Sequence, residues 1–156
     1  MIETVRLDRV IFDTEPWLHV IGSPMHLGYS EYVAGRPDRC REIIAAFLVS
    51  VYASRAREKS TEAFVREICR ERNVRFPQNR EETDPAIVYE AALRRYDVCH
   101  LPLVERIVKS GYFPLTGTPV TMIRNNGSYF VGDGKNRCSI LAALGREEIE
   151  NVRVME

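Results

Sequence analysis

The chain has 156 residues, 45% of them hydrophobic and 28% charged, with 22 Lys+Arg against 22 Asp+Glu. That is one ordinary domain with enough apolar surface to offset the entropy of ordering, so disorder is excluded as its main state, and 9 Gly and 8 Pro are too few for a fibrous or low-complexity chain. The net charge of 0 argues against a life of non-specific DNA binding, no apolar run reaches the ~18–20 residues of a membrane span, and Met1-Ile2-Glu3-Thr4-Val5-Arg6 lacks the lead of a secretory signal, which together point to the cytoplasm.

In chain order, Val5 to Phe12 reads as a strand. Asp13-Thr14-Glu15-Pro16 is a turn, and Trp17 to Ile21 is an apolar piece that fits strand or helix equally, stopped by Gly22-Ser23-Pro24. A short helix fits Ser30 to Ala34. Asp38 is a cap for a helix with Ile44, Phe47, Leu48, Val51 and Tyr52 on one face. Ser60 or Thr61 caps another, with Phe64, Val65, Ile68 and Cys69 aligned, ending near Asn73; Pro77 to Thr83 is a polar loop. Asp84-Pro85 is a cap followed by proline at the first helical position, and Tyr89, Leu93 and Tyr96 form the inner stripe. Pro102 opens a further helix with Leu103, Val104, Ile107 and Val108, ended by Ser110-Gly111.

The last forty residues change character. Pro119 to Arg124 is a strand, Asn125-Asn126-Gly127-Ser128 holds the Asn-Gly pair of a tight hairpin, and Tyr129-Phe130-Val131 returns. Gly132-Asp133-Gly134 breaks the strand, a helix runs from about Asn136 to Leu144 with Ile140, Leu141 and Leu144 inward, and Glu150 to Met155 is a final strand. The expected fold is a single α+β domain over 1–156 with a helical middle.

Charge is distributed unevenly. Residues 36–80 hold 11 basic and 6 acidic side chains, which is either a solvated pair of helices or a face for a polyanion. Cys40, Cys69, Cys99 and Cys138 are far apart, and the histidines are His19, His26 and His100. Adjacent Cys99-His100 is poor geometry for two ligands on one metal, so no metal site is expected, and free thiols fit better than a disulfide framework.

Chemistry concentrates at the strand–turn–helix unit Val131-Gly132-Asp133-Gly134-Lys135-Asn136-Arg137-Cys138. The first N–H groups of a helix have no internal partner and sit at the positive end of its dipole. Glycine lets an anion approach the backbone, and Lys135, Arg137 and the Asn136 amide add donors, so the unit is a candidate phosphate seat. Without a ligand, the same residues would be a tight turn whose cations face water.

The stretch Asp133-Gly134-Lys135-Asn136-Arg137, followed by Ala142-Ala143-Leu144-Gly145 and Val152-Arg153-Val154, resembles the ParB/sulfiredoxin superfamily, and Gly117-Thr118-Pro119-Val120 resembles the segment before that family's hairpin. The match is strongest over 117–154. The resemblance implies a small mixed sheet with a helical insertion at about 36–110. It also implies binding of ATP or CTP with Mg²⁺, through Gly134, Lys135, Asn136 and Arg137, with Asp133 near the metal or an attacking group. Activities implied are nucleotide hydrolysis or phosphoryl transfer to a small-molecule or protein acceptor. Asn136 stands where relatives often carry His, and Lys135 where sulfiredoxins carry their cysteine, which speaks against sulfiredoxin chemistry. No helix-turn-helix segment follows, so sequence-specific DNA reading is not expected. Other candidates are His26 as an acid or base reaching the turn, Asp13 and Glu15 facing the nucleotide, and a Cys138 acidified by the helix N-terminus but opposed by burial. Trp17, Tyr29 and Tyr32 either stack on a base or pack in the core. Two alternatives stand beside the enzyme: a non-catalytic regulatory or interaction module of the same fold, and a nucleic-acid-associated protein using the 36–80 stretch.

Overall fold

The computed structural model describes residues 1–12, 18–58, 85–112 and 118–156, the side chains of 49–58 and 85–88 excepted. Strands β1 (Ile2–Arg6), β2 (Val10–Phe12), β3 (Thr121–Asn125), β4 (Ser128–Asp133) and β5 (Glu148–Met155) form one mixed sheet in the order β1-β5-β3-β4-β2. Helices α1 (Pro24–Val33), α2 (Pro37–Glu58), α3 (Pro85–Arg95) and α4 (Leu101–Ser110) lie between β2 and β3 in sequence, and α5 (Lys135–Ala143) joins β4 to β5. The class is α+β, as expected. The helix expected from Ser60 or Thr61 to Asn73, the Pro77–Thr83 loop, the Asp84 cap, Asp13, Glu15 and Trp17, and the side chains of Val51 and Tyr52 lie outside the described residues. Among the described residues no helix is long and apolar enough to cross a membrane.

The expected first strand, Val5 to Phe12, is in fact two strands separated by a 3₁₀ turn at Leu7–Arg9. The apolar phase slips at the turn. Val5 and Leu7 are buried two apart, Val10 and Phe12 are buried two apart, but three residues separate Leu7 from Val10. This short turn carries the chain from one edge strand of the sheet to the other. Four strand spacings of about 4.8 Å would hold flat edges at least about 19 Å apart. The span from Arg6 to Val10 reaches about 14 Å even when fully extended. The sheet therefore curls until its edges approach, with β1 and β2 acting as one bent run that zips β5 on one side and β4 on the other. The buried row Val154, Met122, Val131 and Phe12, cross-strand partners on β5, β3, β4 and β2, lines the inside of the curl.

Trp17–Ile21, left open between strand and helix, resolves over its described part as extended chain. Leu18 and Val20 exchange backbone hydrogen bonds with Phe12 and Val10, and His19 bridges Ile11. The helix expected at Ser30–Ala34 begins earlier. Ser23 caps α1 by accepting the His26 N–H at 3.2 Å, and Pro24 takes the first position, so the cluster read as a stop is a helix start. Pro37, not Asp38, opens α2, with Asp38 in its first turn. Gly28 lets α1 and α2 cross closely, since a Cβ there would sit 2.7 Å from Ile44 Cδ1.

Pro85 starts α3 as expected, but Pro102 does not open a separate helix. α3 runs into α4 through a π turn at Tyr96–His100, where the Leu101 N–H reaches back to Tyr96 O. Pro102 cannot donate to the carbonyl of Val98 and its ring crowds it, and the widened turn absorbs that misfit. The hairpin is as read, with φ of 47° at Asn126 and 84° at Gly127. In β5 an extra residue opposite β1 puts Asn151 at φ 54°, a bulge that keeps both Ile149 and Val152 inside. Leu144, expected inward, is 36% exposed at the end of α5, while Cys138, Ser139, Ile140, Leu141 and Ala142 are all buried.

Truncating the fully buried Leu7 to Ala should cost about 3 kcal/mol. A urea midpoint matching wild type would show that the bend does not depend on this anchor.

Candidate functional site

β4 delivers the chain to Asp133, and Gly134 turns it directly into α5. Gly134 sits at φ +105°, a left-handed conformation, and a Cβ there would fall 2.6 Å from Val120 Cγ2. Val120 is fully buried, so no side chain fits. The first turn of α5 carries no side-chain cap at Gly134, which leaves its N–H groups for another acceptor.

Arg137 is 17% exposed at its side chain and fixed beside this turn. Its guanidinium donates to the Thr118 carbonyl, lies 3.5 Å from the Asp133 carboxylate, and is near enough to the Tyr112 hydroxyl to favour its ionised form. A guanidinium has five N–H donors, so capacity for an anion remains. Asp133 is 65% exposed at its side chain and thus open to solvent on its other side.

Asn136 is held from within. The Tyr29 hydroxyl donates to Asn136 Oδ1 at 2.7 Å and lies 3.1 Å from His100 Nδ1. A phenol has one proton to give, so His100 Nδ1–H donates to Tyr29 in turn. Tyr29 is fully buried and His100 is 3% exposed. Burial pushes the Tyr29 hydroxyl far above its ordinary range, so it stays protonated. With Oδ1 taken, the Asn136 amide N–H₂ is the free end, and no described residue accepts from it.

The π turn supplies His100 and is itself clasped to α2. Tyr96 stacks on His100 at 6.1 Å and shares a hydrogen bond with Cys40 Sγ at 3.2 Å, and Asp97 pairs with both arms of Arg41 at 2.9 Å. Three elements of the helical layer therefore fix one side chain of the turn. Neither Tyr29, considered for stacking or packing, nor His100, considered only as a metal ligand, was expected in this role. Their partners are distant in sequence, and a single sequence holds no signal that pairs them.

The expectation that His26 reaches the turn is corrected. His26 Nδ1 accepts the Gly22 N–H at 2.8 Å, and the Ala142 carbonyl is near enough to favour its charged form. Ala142 lies seven residues beyond Lys135, about 10 Å along the helix axis. His26 serves the far end of α5. Cys138 is fully buried, and desolvation raises its thiol to about 12, so the opposing effect of burial wins over the helix N-terminus. Tyr32 packs against the core. The turn thus gathers Asp133, Gly134, Lys135, Asn136 and Arg137 by chain continuity and leaves His26 apart.

Among the described residues no group of three or more His, Cys, Asp and Glu is placed to hold a metal ion. A cleft of about 350 Å³ between the end of α5 and β5 is lined by Glu147, Glu148 and Glu150 against a single cation, Arg146, a net acidic lining that disfavours phosphate. Compared with family models, curated proteins and solved structures, the chain matches none.

Replacing Tyr29 with Phe removes one hydroxyl and strands the buried His100 and the half-buried Asn136. The expected loss is about 1–3 kcal/mol of unfolding free energy. A neutral effect in chemical denaturation would mean that the chain of hydrogen bonds contributes nothing.

His26 is held below its ordinary value by burial, partly offset by the Ala142 carbonyl. The unfolded chain then takes up the proton more readily. The stability His26 contributes is present above about pH 6.5 and lost as pH falls through the lower folded value. His26→Gln should flatten the acid limb of a stability–pH profile, and an unchanged limb would remove His26 as its source.

Proposed function

We propose that the first turn of α5 binds the phosphates of a nucleotide, ATP or CTP, with Mg²⁺. One arrangement carries the reading. An uncapped helix N-terminus follows a left-handed glycine, with the Arg137 guanidinium fixed on one side and the Asn136 amide, oriented through Tyr29 and His100, on the other. Arg137 clamps phosphate oxygens, Lys135 adds charge, and Gly134 admits the anion to the backbone. The donor set fits an anion. Mg²⁺ is commonly held by one or two carboxylates plus phosphate oxygens, and Asp133 supplies one carboxylate beside the turn. The resemblance of 117–154 to the ParB/sulfiredoxin superfamily supports the same reading, including hydrolysis or phosphoryl transfer to a small-molecule or protein acceptor.

A second reading, a nucleotide-binding module without turnover, is favoured by one observation. His26 Nδ1 is taken by the Gly22 N–H and the ring lies by Ala142 at the other end of α5, and Asn136 cannot exchange a proton at neutral pH. The nucleic-acid reading loses ground in the described part of the basic stretch, where Arg36, Arg39 and Arg41 are paired with Glu31, Glu42 and Asp97.

Calorimetry of ATP, CTP, GTP and ADP with Mg²⁺ tests the seat, wild type beside Arg137→Ala. Micromolar binding should fall at least about tenfold in the variant, in line with the loss of a charge-assisted contact. No binding by wild type, or equal affinity in a folded variant, ends the proposal. Phosphate release that is lost in Asp133→Ala separates the enzyme from the module.

A further inference from the structure

The outer face of the sheet carries a pattern that the core does not use and that meets the phosphate seat only at Asp133. Directly paired residues project to one side of a sheet, and the next residue on each strand projects to the other. The buried row Val154, Met122, Val131 and Phe12 faces inward. One step along, the paired row Met155, Ile123, Phe130 and Ile11 therefore faces outward, across β5, β3, β4 and β2. Ile123 is 46% and Met155 44% exposed, and Phe130 and Ile11 are half-buried. A solvent-facing sheet surface is ordinarily polar, so a lateral apolar row is out of pattern. Beside it runs a second outward row, Arg153 on β5, Thr121 on β3 and Asp133 on β4, with Ile2 flanking Arg153 on β1.

We propose that this face is a self-association surface, on which a second copy of the chain packs about a two-fold axis lying along β3. The charge pattern selects the occupant. A half-turn about β3 exchanges the β5 and β4 columns between facing sheets. It sets Ile123 against itself, Met155 against Phe130, and Arg153 against Asp133, the last pair occurring twice. A surface that meets its own copy must cancel its charges under the rotation that generates the copy. This one does, because its cation and its anion stand one strand either side of the axis in the same row. The curl of the sheet makes the face convex, so contact is confined to β3 and the two strands beside it. That size suits a weak, concentration-dependent dimer and not a permanent one. Asp133 is 65% exposed at its side chain, so it keeps its 3.5 Å contact with Arg137 and shares its charge between the two guanidinium groups.

Sedimentation velocity over a wide concentration range tests the surface on the full chain. Wild type should move from monomer to dimer as concentration rises. Ile123→Glu should weaken the dimer roughly tenfold or more, as expected for a central apolar anchor. Val98→Glu, at a residue 66% exposed on the π turn, should not. Arg153→Asp should weaken it, and adding Asp133→Arg should restore it. A second measurement guards against misfolded variants. In a Cys69→Ser, Cys99→Ser background, Ile123→Cys should be joined to its copy by a short bis-maleimide, because facing sheets pack about 10 Å apart, beyond a disulfide but within reach of the linker, whereas Leu27→Cys should not. A wild type that stays monomeric throughout, a dimer indifferent to Ile123→Glu, or no bis-maleimide crosslink at Ile123→Cys overturns the proposal.

Discussion

The bend at Leu7–Arg9 is the constraint on which the rest of the molecule depends. A turn of three residues cannot join opposite edges of a flat five-stranded sheet, so the sheet must curl. The curl creates an inside, and that inside is filled by the row from Val154 to Phe12. It also sets where β4 ends. Because Gly134 meets Val120 without room for a Cβ, α5 must leave the sheet at that point, and the first turn of α5 is placed by backbone contact and not by a flexible loop.

The helical layer does more than cover this arrangement. Pro102 widens the helix at Tyr96–His100, and the widened turn is clasped to α2 through Cys40 and Arg41 while it reaches Tyr29 on α1. The chain of hydrogen bonds from His100 through Tyr29 ends on Asn136, so a residue of the turn is oriented from elements that lie elsewhere in the sequence. A buried polar chain that is fully satisfied specifies one arrangement, since breaking any link leaves a desolvated group without a partner. The helical middle thereby has a physical connection to the turn where Gly134, Lys135, Asn136 and Arg137 gather donors for an anion.

What could be read from the sequence was local. Asn126-Gly127 carries its own backbone preference, and the alternation on each side fixes the hairpin. Asp133-Gly134 after an apolar run, with Leu144-Gly145 closing the segment that follows, marks strand, turn and helix without tertiary information. The bend at Leu7–Arg9 was also present, as a phase slip in the apolar alternation, but a single strand is the simpler reading of Val5 to Phe12. Ser23-Pro24 was misread because serine and proline both stop and start helices, and only the residues after them decide. His26 and His100 exchanged importance. His26 sits close in sequence to a turn and looked available, whereas His100 gains its role from Tyr29 and Asn136, contacts that only folding creates.

The pairing of the first strands has a consequence for how the chain folds. β1 finds its partner in β5, and β2, beyond its short bridge to Leu18–Val20, finds its partner in β4. Both lie near the other end of the chain, so these pairings close very long loops before any ladder energy is returned. During synthesis the hydrophobic residues Val5, Leu7, Val10 and Phe12 emerge first and wait longest. The helices between them and β3 are rich in near-neighbour contacts and have time to assemble. Closure of the curled sheet is then a late event, and the species that precedes it presents an unpaired strand, the form in which such a chain is most exposed to aggregation.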